Sequence, residues 1–313
     1  MTAALSYVVV TDGARTIARL VPYLQALRAR STLEVVLVTP TGKAAEVRAS
    51  LPDDFPAARV VEPVSIWPMG GARAAGIRAA TAPIVFLGET HSFPEPAFAE
   101  AILRAADRPW DVLVPGFRNA NPENAISWSN YLMDYGSWHR TLPGGEIAAG
   151  PTWNVAYRRD VMMTHDADLD RMLSHGDVLA QIFSARRYRT MFEPSAVIAH
   201  ANLSQARWWF EQRYLAGLLV GESRRRRWVV PRRLLYAAAT PLVPAVIVAR
   251  LGAAIRAGRG DGMGVLAIPA LLTGAVFRTA GELVAYVRGA SDAAQVRMDE
   301  YELFKLDYTG LSP

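Results

Sequence analysis

Short apolar runs alternate with longer amphipathic stretches over the first third of the chain. Four runs have the length of buried strands and end near polar or glycine-containing turns: Tyr7 to Val10, Glu34 to Val38, Arg59 to Val61 and Ile84 to Leu87. The stretches between them have the composition and apolar spacing of helices: Ala14 to Ala29, Lys43 to Leu51 and Gly70 to Ala80. This alternation predicts a parallel sheet with helices on both faces, although Pro22 is unfavourable inside the first helix.

The middle of the chain extends this pattern with a predicted helix from Phe98 to Ala106 and a predicted strand from Asp111 to Pro115. The polar stretch from Gly116 to Asn124 predicts a mobile loop. The helical stretch from Ile126 to His139 then repeats aromatic residues every three or four positions: Trp128, Tyr131, Tyr135 and Trp138. Most such stripes pack into a core, and a platform for a sugar or a lipid is the alternative.

The last third of the chain combines a basic cluster with two uncharged apolar segments. A predicted helix from Leu203 to Val220 precedes six clustered arginines: Arg224 to Arg227, Arg232 and Arg233. The apolar segments, Leu234 to Ala249 and Met263 to Phe277, are interrupted by proline and are shorter than the roughly 20 residues of a spanning helix. They predict a helical hairpin in the cytoplasmic leaflet of a membrane, with marginal spans or a buried soluble layer as alternatives.

Composition narrows these interpretations. The 313 residues are enough for one large domain with appendages or for two small domains, and we expect domains at 1–222 and 223–313. The absence of cysteine excludes disulfides and cysteine-bound zinc and suits a reducing compartment, and no secretory signal is expected. A net charge of +5 would also suit nucleic acid, but the apolar segments after the arginines favour a membrane surface, so no nucleic-acid partner is expected.

Two chemically active side chains directly follow the apolar run Ile84 to Leu87. They are Glu89 and His91. In open α/β sheets ligands bind at the carboxyl ends of the strands, and extended backbone directs residues two apart to the same side. The two side chains are therefore able to share one ion, although two solvated loop residues would show the same spacing.

Three consecutive motifs in this region resemble those of the family 2 glycosyltransferases, which have the GT-A fold and use nucleotide-sugar donors. They are the helix motif Ala72-Arg73-Ala74-Ala75-Gly76, the strand Ile84 to Leu87, and Glu89-Thr90-His91 with Pro94 or Pro96 after it. The family has Asp-x-Asp in the third position, where a divalent cation bridges to the donor diphosphate. Glu-x-His implies a mixed oxygen and nitrogen site, which Mn²⁺ accepts more readily than Mg²⁺. Arg73 is expected to contact the substrate.

The resemblance also places the nucleotide at the loops after the first two strands. Thr11 and Asp12 follow the first strand and Thr39 follows the second, so these three residues are expected to contact the base. The family's acidic residue after the second strand is missing, because Thr39-Pro40-Thr41-Gly42 stands there. That sequence is also typical of a simple turn, which is the alternative interpretation.

The segment Gly150 to Val161 resembles the acceptor side of the family. It ends in a Tyr-Arg-Arg-Asp helix start, and Trp153 and Asn154 would line the acceptor cleft. Asp177 matches the family's general base, which removes the acceptor hydroxyl proton during an inverting attack. It is equally suited to be the N-cap of a helix over Val178 to Ala185, and the two roles are compatible.

A histidine completes the implied site. His200 ends a predicted strand from Tyr188 and matches a family histidine that reaches the metal or the diphosphate; a packed or capping histidine is the alternative. The resemblance thus implies an α/β GT-A domain with a C-terminal helical hairpin. It implies inverting transfer of a sugar from a nucleotide-diphosphate sugar to a membrane-held acceptor, such as a lipid-linked glycan or a polysaccharide, at the cytoplasmic face of the membrane.

A non-catalytic protein of the same fold is the alternative from a different class. Such a protein would bind or scaffold an active transferase. The altered metal motif, the missing nucleotide acid and Gly176 in place of a family glutamate favour it, whereas the retained Asp177 and His200 oppose it.

Overall fold

The computed structural model describes residues 3–174 and 176–311, except for the side chains of residues 176 and 177. This part of the chain forms two compact units, one of residues 3–118 with 138–200 and one of residues 119–137 with 201–311. The division into 1–222 and 223–313 stays a prediction, and one continuous helix, Ala206–Arg227, runs through residue 222.

Across the described residues, nine strands form one mixed sheet. They are β1 (Leu5–Val10), β2 (Leu33–Val38), β3 (Ala57–Val61), β4 (Ile84–Gly88), β5 (Ser92–Pro94), β6 (Val112–Asn119), β7 (Gly145–Ile147), β8 (Val155–Arg158) and β9 (Thr190–His200). Their order is β3-β2-β1-β4-β8-β6-β9-β5, with β7 also paired to β9. Strands β1 to β4 are mutually parallel, whereas β8 runs antiparallel to β4, and β5 and β7 run antiparallel to β9.

Helices flank the sheet and make up most of the second unit. In chain order they are α1 (Ala14–Ile17), α2 (Val21–Gln25), α3 (Ala44–Ala49), α4 (Met69–Ala79), α5 (Phe98–Arg104), α6 (Ala125–Asp134), α7 (Arg159–Met163), α8 (Leu169–Ser174), α9 (Gly176–Ala185), α10 (Ala206–Arg227), α11 (Val230–Ala239), α12 (Val243–Arg250), α13 (Gly252–Gly260), α14 (Ala267–Arg288) and α15 (Asp292–Leu303). Helices α6 and α10 to α15 belong to the second unit, and the others belong to the first.

The strands predicted from apolar runs are confirmed, but two other predictions are wrong. The single helix expected over Ala14 to Ala29 is broken into α1 and α2, with Pro22 in the first turn of α2, where its missing N–H is tolerated. The mobile loop expected over Gly116 to Asn124 instead continues β6 as far as Asn119. The Asn119 amide oxygen accepts a hydrogen bond from the Ser127 hydroxyl at 2.9 Å, so this polar atom has a partner inside the fold.

Parallel pairing brings the carboxyl ends of three strands to one edge of the sheet. Val10 of β1 is in register with Val38 of β2, and Val9 is in register with Gly88 of β4. All six residues of β1 and of β2 are buried, as expected for strands covered on both faces. The residues that follow β1, β2 and β4 therefore lie side by side, where open α/β sheets bind ligands.

The second unit is built around the close packing of α10 and α14, each 22 residues long. A Cβ atom added to Gly217 would lie 1.7 Å from the Arg278 carbonyl oxygen, and one added to Gly281 would lie 2.1 Å from the Tyr214 carbonyl oxygen. Helix α6 also packs on α14, and its Trp128 and Tyr131 are buried together with Tyr135. For these three aromatic residues the core interpretation is confirmed.

Helices α11, α12 and α14 expose an unusual amount of apolar surface. The exposed side chains of these helices include Leu234, Leu235, Val246, Leu272 and Val276, and Leu242 in the turn between α11 and α12 is exposed as well. Two stretches of the described chain, Val230–Arg250 and Ala267–Arg288, are long and apolar enough to cross a membrane by length and composition alone. Their most apolar windows are 11% and 39% buried, so the first of them does not form a buried soluble layer.

Half of the arginine cluster is neutralised within the second unit. Arg224 pairs with Glu282 at 2.6 Å, and Arg225 and Arg226 pair with Glu222 at 2.7 and 2.8 Å. Arg232 lies over the ring of Trp228, 4.5 Å from its centroid. The positive charge that the sequence places before the apolar segments is thus partly used to join helices.

Candidate functional site

Three of the predicted site residues meet at the ligand-binding edge of the sheet. Glu89 and His91 follow β4, as the sequence predicts, and His200 arrives at the end of β9. The antiparallel pairing of β5 with β9 sets Ser92 opposite His200, which brings His200 beside the residue that follows His91. The three potential ligand atoms all lie within 4.8 Å of one another.

The three side chains of this triad lie close together and are almost completely buried. The Glu89 Oε2 atom lies 3.2 Å from His91 Nε2 and 3.5 Å from His200 Nε2. The two imidazole rings are edge to face, with their centroids 4.9 Å apart. Glu89, His91 and His200 are 5%, 1% and 0% exposed, and a glutamate is seldom so fully buried unless it is paired or binds a metal.

A divalent cation fits this donor set. Two ligands on opposite sides of an ion with bonds of about 2.1 Å are about 4.2 Å apart, so separations up to 4.8 Å need only small side-chain adjustments. One carboxylate and two imidazoles suit borderline cations such as Mn²⁺, Fe²⁺, Co²⁺ and Zn²⁺, whereas Mg²⁺ prefers an all-oxygen set. The triad is therefore a candidate metal centre for a transition-metal ion.

Asn154 joins the triad directly. Its Nδ2 atom donates a hydrogen bond of 2.6 Å to Glu89 Oε2. Its backbone N–H donates to the carbonyl oxygen of Leu87 at 2.7 Å, and its φ of +57° is in the left-handed region. The sequence predicts Asn154 as a substrate-binding residue, and its contact with Glu89 is a feature that local sequence spacing does not reveal.

Tyr7 is a residue of this region that the sequence interpretation missed. Its ring lies against Gly88, where an added Cβ atom would come within 2.3 Å of Tyr7 Cε1. Burial raises the pKa of the Tyr7 phenol, and the Glu89 carboxylate raises it further, so the hydroxyl stays protonated. Among the described residues this hydroxyl has no hydrogen-bond partner. The sequence signal that could have identified Tyr7 is a tyrosine within a buried strand whose other residues are mostly aliphatic.

The predicted nucleotide contacts lie at the same sheet edge but differ in their hydrogen bonding. The Thr11 hydroxyl donates to the Gly13 carbonyl oxygen at 2.7 Å, and Asp12 accepts a short hydrogen bond from Thr16. The Thr39 hydroxyl is fully buried and has no hydrogen-bond partner in the part of the chain that the structure describes. Thr39 is thus the one of the three whose side chain is not engaged in organising its own loop.

Arg73 and Trp153 form a stacked pair. The Arg73 guanidinium carbon lies 3.7 Å from the centroid of the Trp153 ring, and Arg73 is 6% exposed. Stacking on an indole face is a favourable way to hold a buried guanidinium, and Trp153 precedes Asn154 in the chain. Both residues stay predicted substrate contacts.

The predicted base lies outside the described side chains. Asp177 is the second residue of α9, so the predicted helix is present, but the position of its carboxylate is not described. The N-cap interpretation is wrong, because Asp177 lies within α9 and not before it, whereas its role as a base stays a prediction.

Comparisons with known proteins extend the assignment of the fold. No protein-family model and no curated protein sequence matches the chain. Among solved structures, the mannosyltransferase PcManGT from Pyrobaculum calidifontis, in complex with GDP-Man and Mn²⁺, matches with a TM-score of 0.52 and 20% identity over 95% of this chain and 87% of that chain. A structure of S. aureus TarS 1–349 gives a TM-score of 0.48 and 14% identity over 95% of this chain and 91% of that chain.

The match to the mannosyltransferase, together with the mixed sheet and its flanking helices, identifies the fold. The chain has the GT-A fold of nucleotide-sugar glycosyltransferases, in a divergent form. The predicted fold class is confirmed. At 20% identity the likeness concerns the fold, and the chemistry has to be argued from the site.

Proposed function

We propose that this protein is a glycosyltransferase that moves a sugar from a nucleotide-diphosphate donor to an acceptor hydroxyl. The observation that carries the proposal is the buried triad of Glu89, His91 and His200 at the carboxyl edge of a GT-A sheet. A structural lysine or arginine partner would explain a buried carboxylate in other proteins. Here Glu89 Oε2 lies 3.2 and 3.5 Å from the Nε2 atoms of two histidines, and imidazole nitrogens are common metal ligands.

The triad would hold a divalent cation, and we favour Mn²⁺ over Mg²⁺ because two of the three donors are imidazole nitrogens. When bound, such an ion neutralises charge on the leaving diphosphate. The solved mannosyltransferase of the same fold carries GDP-Man and Mn²⁺, which supports this donor class.

The remaining residues would bind and orient the donor. The stacked Arg73 guanidinium is suited to the diphosphate, because a planar cation pairs well with phosphate oxygens. The unengaged Thr39 hydroxyl and the loop of Thr11 and Asp12 would contact the base or the ribose. Such contacts hold the anomeric carbon in a fixed position, and this positioning lowers the barrier of transfer.

We further propose an inverting reaction with Asp177 as the base. The acceptor oxygen would attack the anomeric carbon while Asp177 takes its proton, and the bond to the diphosphate would break on the opposite face. Asp177 is the second residue of helix α9, which follows α8 in the first unit, so it belongs to the same unit as the triad.

We propose that the acceptor is held by a membrane, at its cytoplasmic face, as a lipid-linked glycan or a polysaccharide. The exposed apolar side chains of α11, α12 and α14 support attachment to lipid, since a water-soluble monomer rarely leaves such a surface open. Helix α14 is packed along α10, which carries many charged residues, so lipid would meet its outer side only. This arrangement favours helices that lie in the interface over helices that cross the bilayer.

Calorimetric titration of nucleoside diphosphates with and without Mn²⁺ tests the proposal. We expect one nucleotide to bind, with an affinity that rises at least tenfold when Mn²⁺ is present, and the corresponding Glu89→Gln protein to lose that dependence. Absence of binding for the whole panel would overturn the transferase assignment. Binding without transfer to any supplied acceptor would favour the non-catalytic alternative.

A further inference from the structure

We infer that Asn154 is a positioning residue that fixes the Glu89 carboxylate for metal binding. The inference rests on the metal site of the proposed function and adds a role that the triad alone does not contain. Asn154 is fully buried and contacts Glu89 through the side-chain hydrogen bond of 2.6 Å.

The main chain places Asn154 with respect to Glu89. In the antiparallel pair of β4 and β8, Leu87 is in register with Val155. The N–H of Asn154 donates to the Leu87 carbonyl oxygen, two residues before Glu89. The donor amide and the metal-binding carboxylate are thus attached to paired strands, and the geometry between them does not depend on a mobile loop.

The hydrogen bond is directed at one particular oxygen. Glu89 Oε2 accepts from Asn154 Nδ2, and the same atom lies closest to His91 and His200. A carboxylate that binds an ion through one oxygen is held in its rotamer when a neighbour donates to that oxygen, and loss of such a donor typically weakens metal binding 10- to 100-fold. The amide therefore keeps Oε2 facing the two imidazoles.

The backbone conformation supports a role for the side chain itself. With φ at +57°, position 154 would accept glycine without strain, whereas most other residues are disfavoured there. Asparagine is the residue that tolerates this conformation and still supplies an amide donor. A buried left-handed asparagine beside three potential ligands is the kind of local strain that clusters at functional sites.

Metal titration of the intact protein tests the inference. Mn²⁺ affinity is measured by calorimetry for the wild type, for Asn154→Gly and for the control Arg187→Gly. The control also replaces a left-handed residue, with φ at +57°, but at an exposed position. We expect Asn154→Gly to bind Mn²⁺ 10- to 100-fold more weakly and Arg187→Gly to bind as the wild type does.

A second variant keeps the test decisive if Asn154→Gly folds poorly. Asn154→Asp preserves shape but faces Glu89 with a second carboxylate, so we expect a lower melting temperature without metal and a larger rise on adding Mn²⁺ than in the wild type. If the wild type binds no Mn²⁺, the proposed metal site fails and this inference fails with it. If the wild type binds Mn²⁺, but Asn154→Gly binds it equally well or Asn154→Asp melts unchanged without metal, only the positioning role is overturned.

Discussion

Gly70 lies directly against Ser174, and the contact fixes helix α4 to the end of helix α8. A Cβ atom on Gly70 would come within 2.1 Å of the Ser174 hydroxyl oxygen and 2.3 Å of its backbone nitrogen. The neighbouring Gly71 has open space, with nothing within 4 Å of its Cβ position. Because Asp177 follows Ser174 by three residues, the packing of Gly70 sets where the chain enters the helix of the proposed base.

The two glycines predict opposite effects of the same substitution. Gly71→Ala should raise the free energy of unfolding by about 0.5 to 1 kcal/mol, since alanine favours a helix more than glycine does. Gly70→Ala should lower it by about 1 to 3 kcal/mol through overpacking and should reduce sugar transfer. Denaturant unfolding and transfer assays on the pair measure both effects. Equal stabilities for the two variants would show that α4 and α8 are not in close contact.

Loss of one ligand of the triad should abolish metal binding. We expect His200→Ala to weaken Mn²⁺ binding by more than about 100-fold, because ligand losses exceed the effects of residues that only support a ligand. The matched control is His165→Ala, which removes a histidine that contacts Tyr188 elsewhere in the same unit. Calorimetric Mn²⁺ titration compares the two. Wild-type affinity in His200→Ala would remove β9 from the metal site.

Replacement of the proposed base should slow transfer without preventing donor binding. Asp177→Asn keeps the size of the side chain, but an amide does not take a proton at neutral pH. We expect turnover to fall by roughly two to four orders of magnitude. Asp168→Asn, at an exposed residue paired with Arg171, serves as the control in steady-state assays. Transfer at the wild-type rate by Asp177→Asn would exclude this residue from proton transfer.

The carboxylate of Glu222 should make the second unit sensitive to acid. Burial alone would raise the pKa of Glu222, but hydrogen bonds from Arg225, Arg226 and the Ala290 N–H lower it to about 2. A lowered pKa stabilises the fold above the unfolded carboxyl pKa of about 4.3, and this contribution is lost as the pH falls from there towards 2. The stability of the second unit should therefore decline over this window.

Thermal unfolding across pH tests this expectation. At pH 7, Glu222→Gln should cost about 1 to 2 kcal/mol, a value reduced for the solvent exposure of the arginine partners. The difference from the wild type should shrink as the pH is lowered from 5 to 3. Glu123→Gln, at an exposed position of the same unit, should change stability by less than about 0.5 kcal/mol. A difference that does not vary with pH would contradict the charged pairing of Glu222.

Membrane attachment should be released in two stages. Each arginine near an anionic leaflet contributes about 1 kcal/mol, and half of the cluster is already paired, so high salt should weaken binding without ending it. Burial of the exposed leucines in lipid is not screened by salt, so detergent should be needed for full release. Sedimentation with vesicles containing anionic lipid separates the two contributions.

Single substitutions on the apolar surface sharpen the membrane test. Leu234→Glu and Leu235→Glu change side chains that are 63% and 66% exposed, so the fold should survive while the salt-resistant bound fraction falls. Val64→Glu changes a fully exposed residue of the first unit and should leave binding unchanged. Complete release by salt alone would discard lipid insertion. Protein that stays monodisperse without detergent and ignores the vesicles would discard membrane attachment.

The local sequence pattern predicts strands β1 to β4 and β6 and the two candidate metal ligands that follow β4. The spacing of apolar residues and the length of each apolar run identify a strand or a helix. The parallel order of the strands then places Glu89 and His91 at the ligand-binding edge of the sheet. The position of His200 came from a resemblance, and its approach to the triad depends on the pairing of β5 with β9. Tertiary packing decides which distant strands pair, and the local spacing of apolar residues does not encode this pairing.

The same limit explains why Tyr7 was missed and why the contact of Asn154 with Glu89 was not foreseen. Tyr7 reaches Gly88 from a neighbouring strand, and Asn154 reaches Glu89 from the residue before β8, so both contacts join residues far apart in sequence. The polar composition of Gly116 to Asn124 led to the wrong prediction of a loop, because the buried Asn119 amide oxygen accepts its hydrogen bonds from Ser127 and Asn202 inside the fold. The break of the first helix was signalled by Pro22, but the pattern alone did not give the position of the break.

Because Ser92 pairs in register with His200, the proposed metal site forms only when strand β9 is correctly paired. Side chains alternate between the two faces of a sheet, so a slip of β9 by one residue would turn His200 away from Glu89. A chain misfolded in this way would keep its helices and much of its core but would hold an ion through two ligands at most. The amount of metal bound per protein molecule would then report the fraction of correctly paired molecules in a preparation. A metal ion present during folding would stabilise the correctly paired form and increase that fraction.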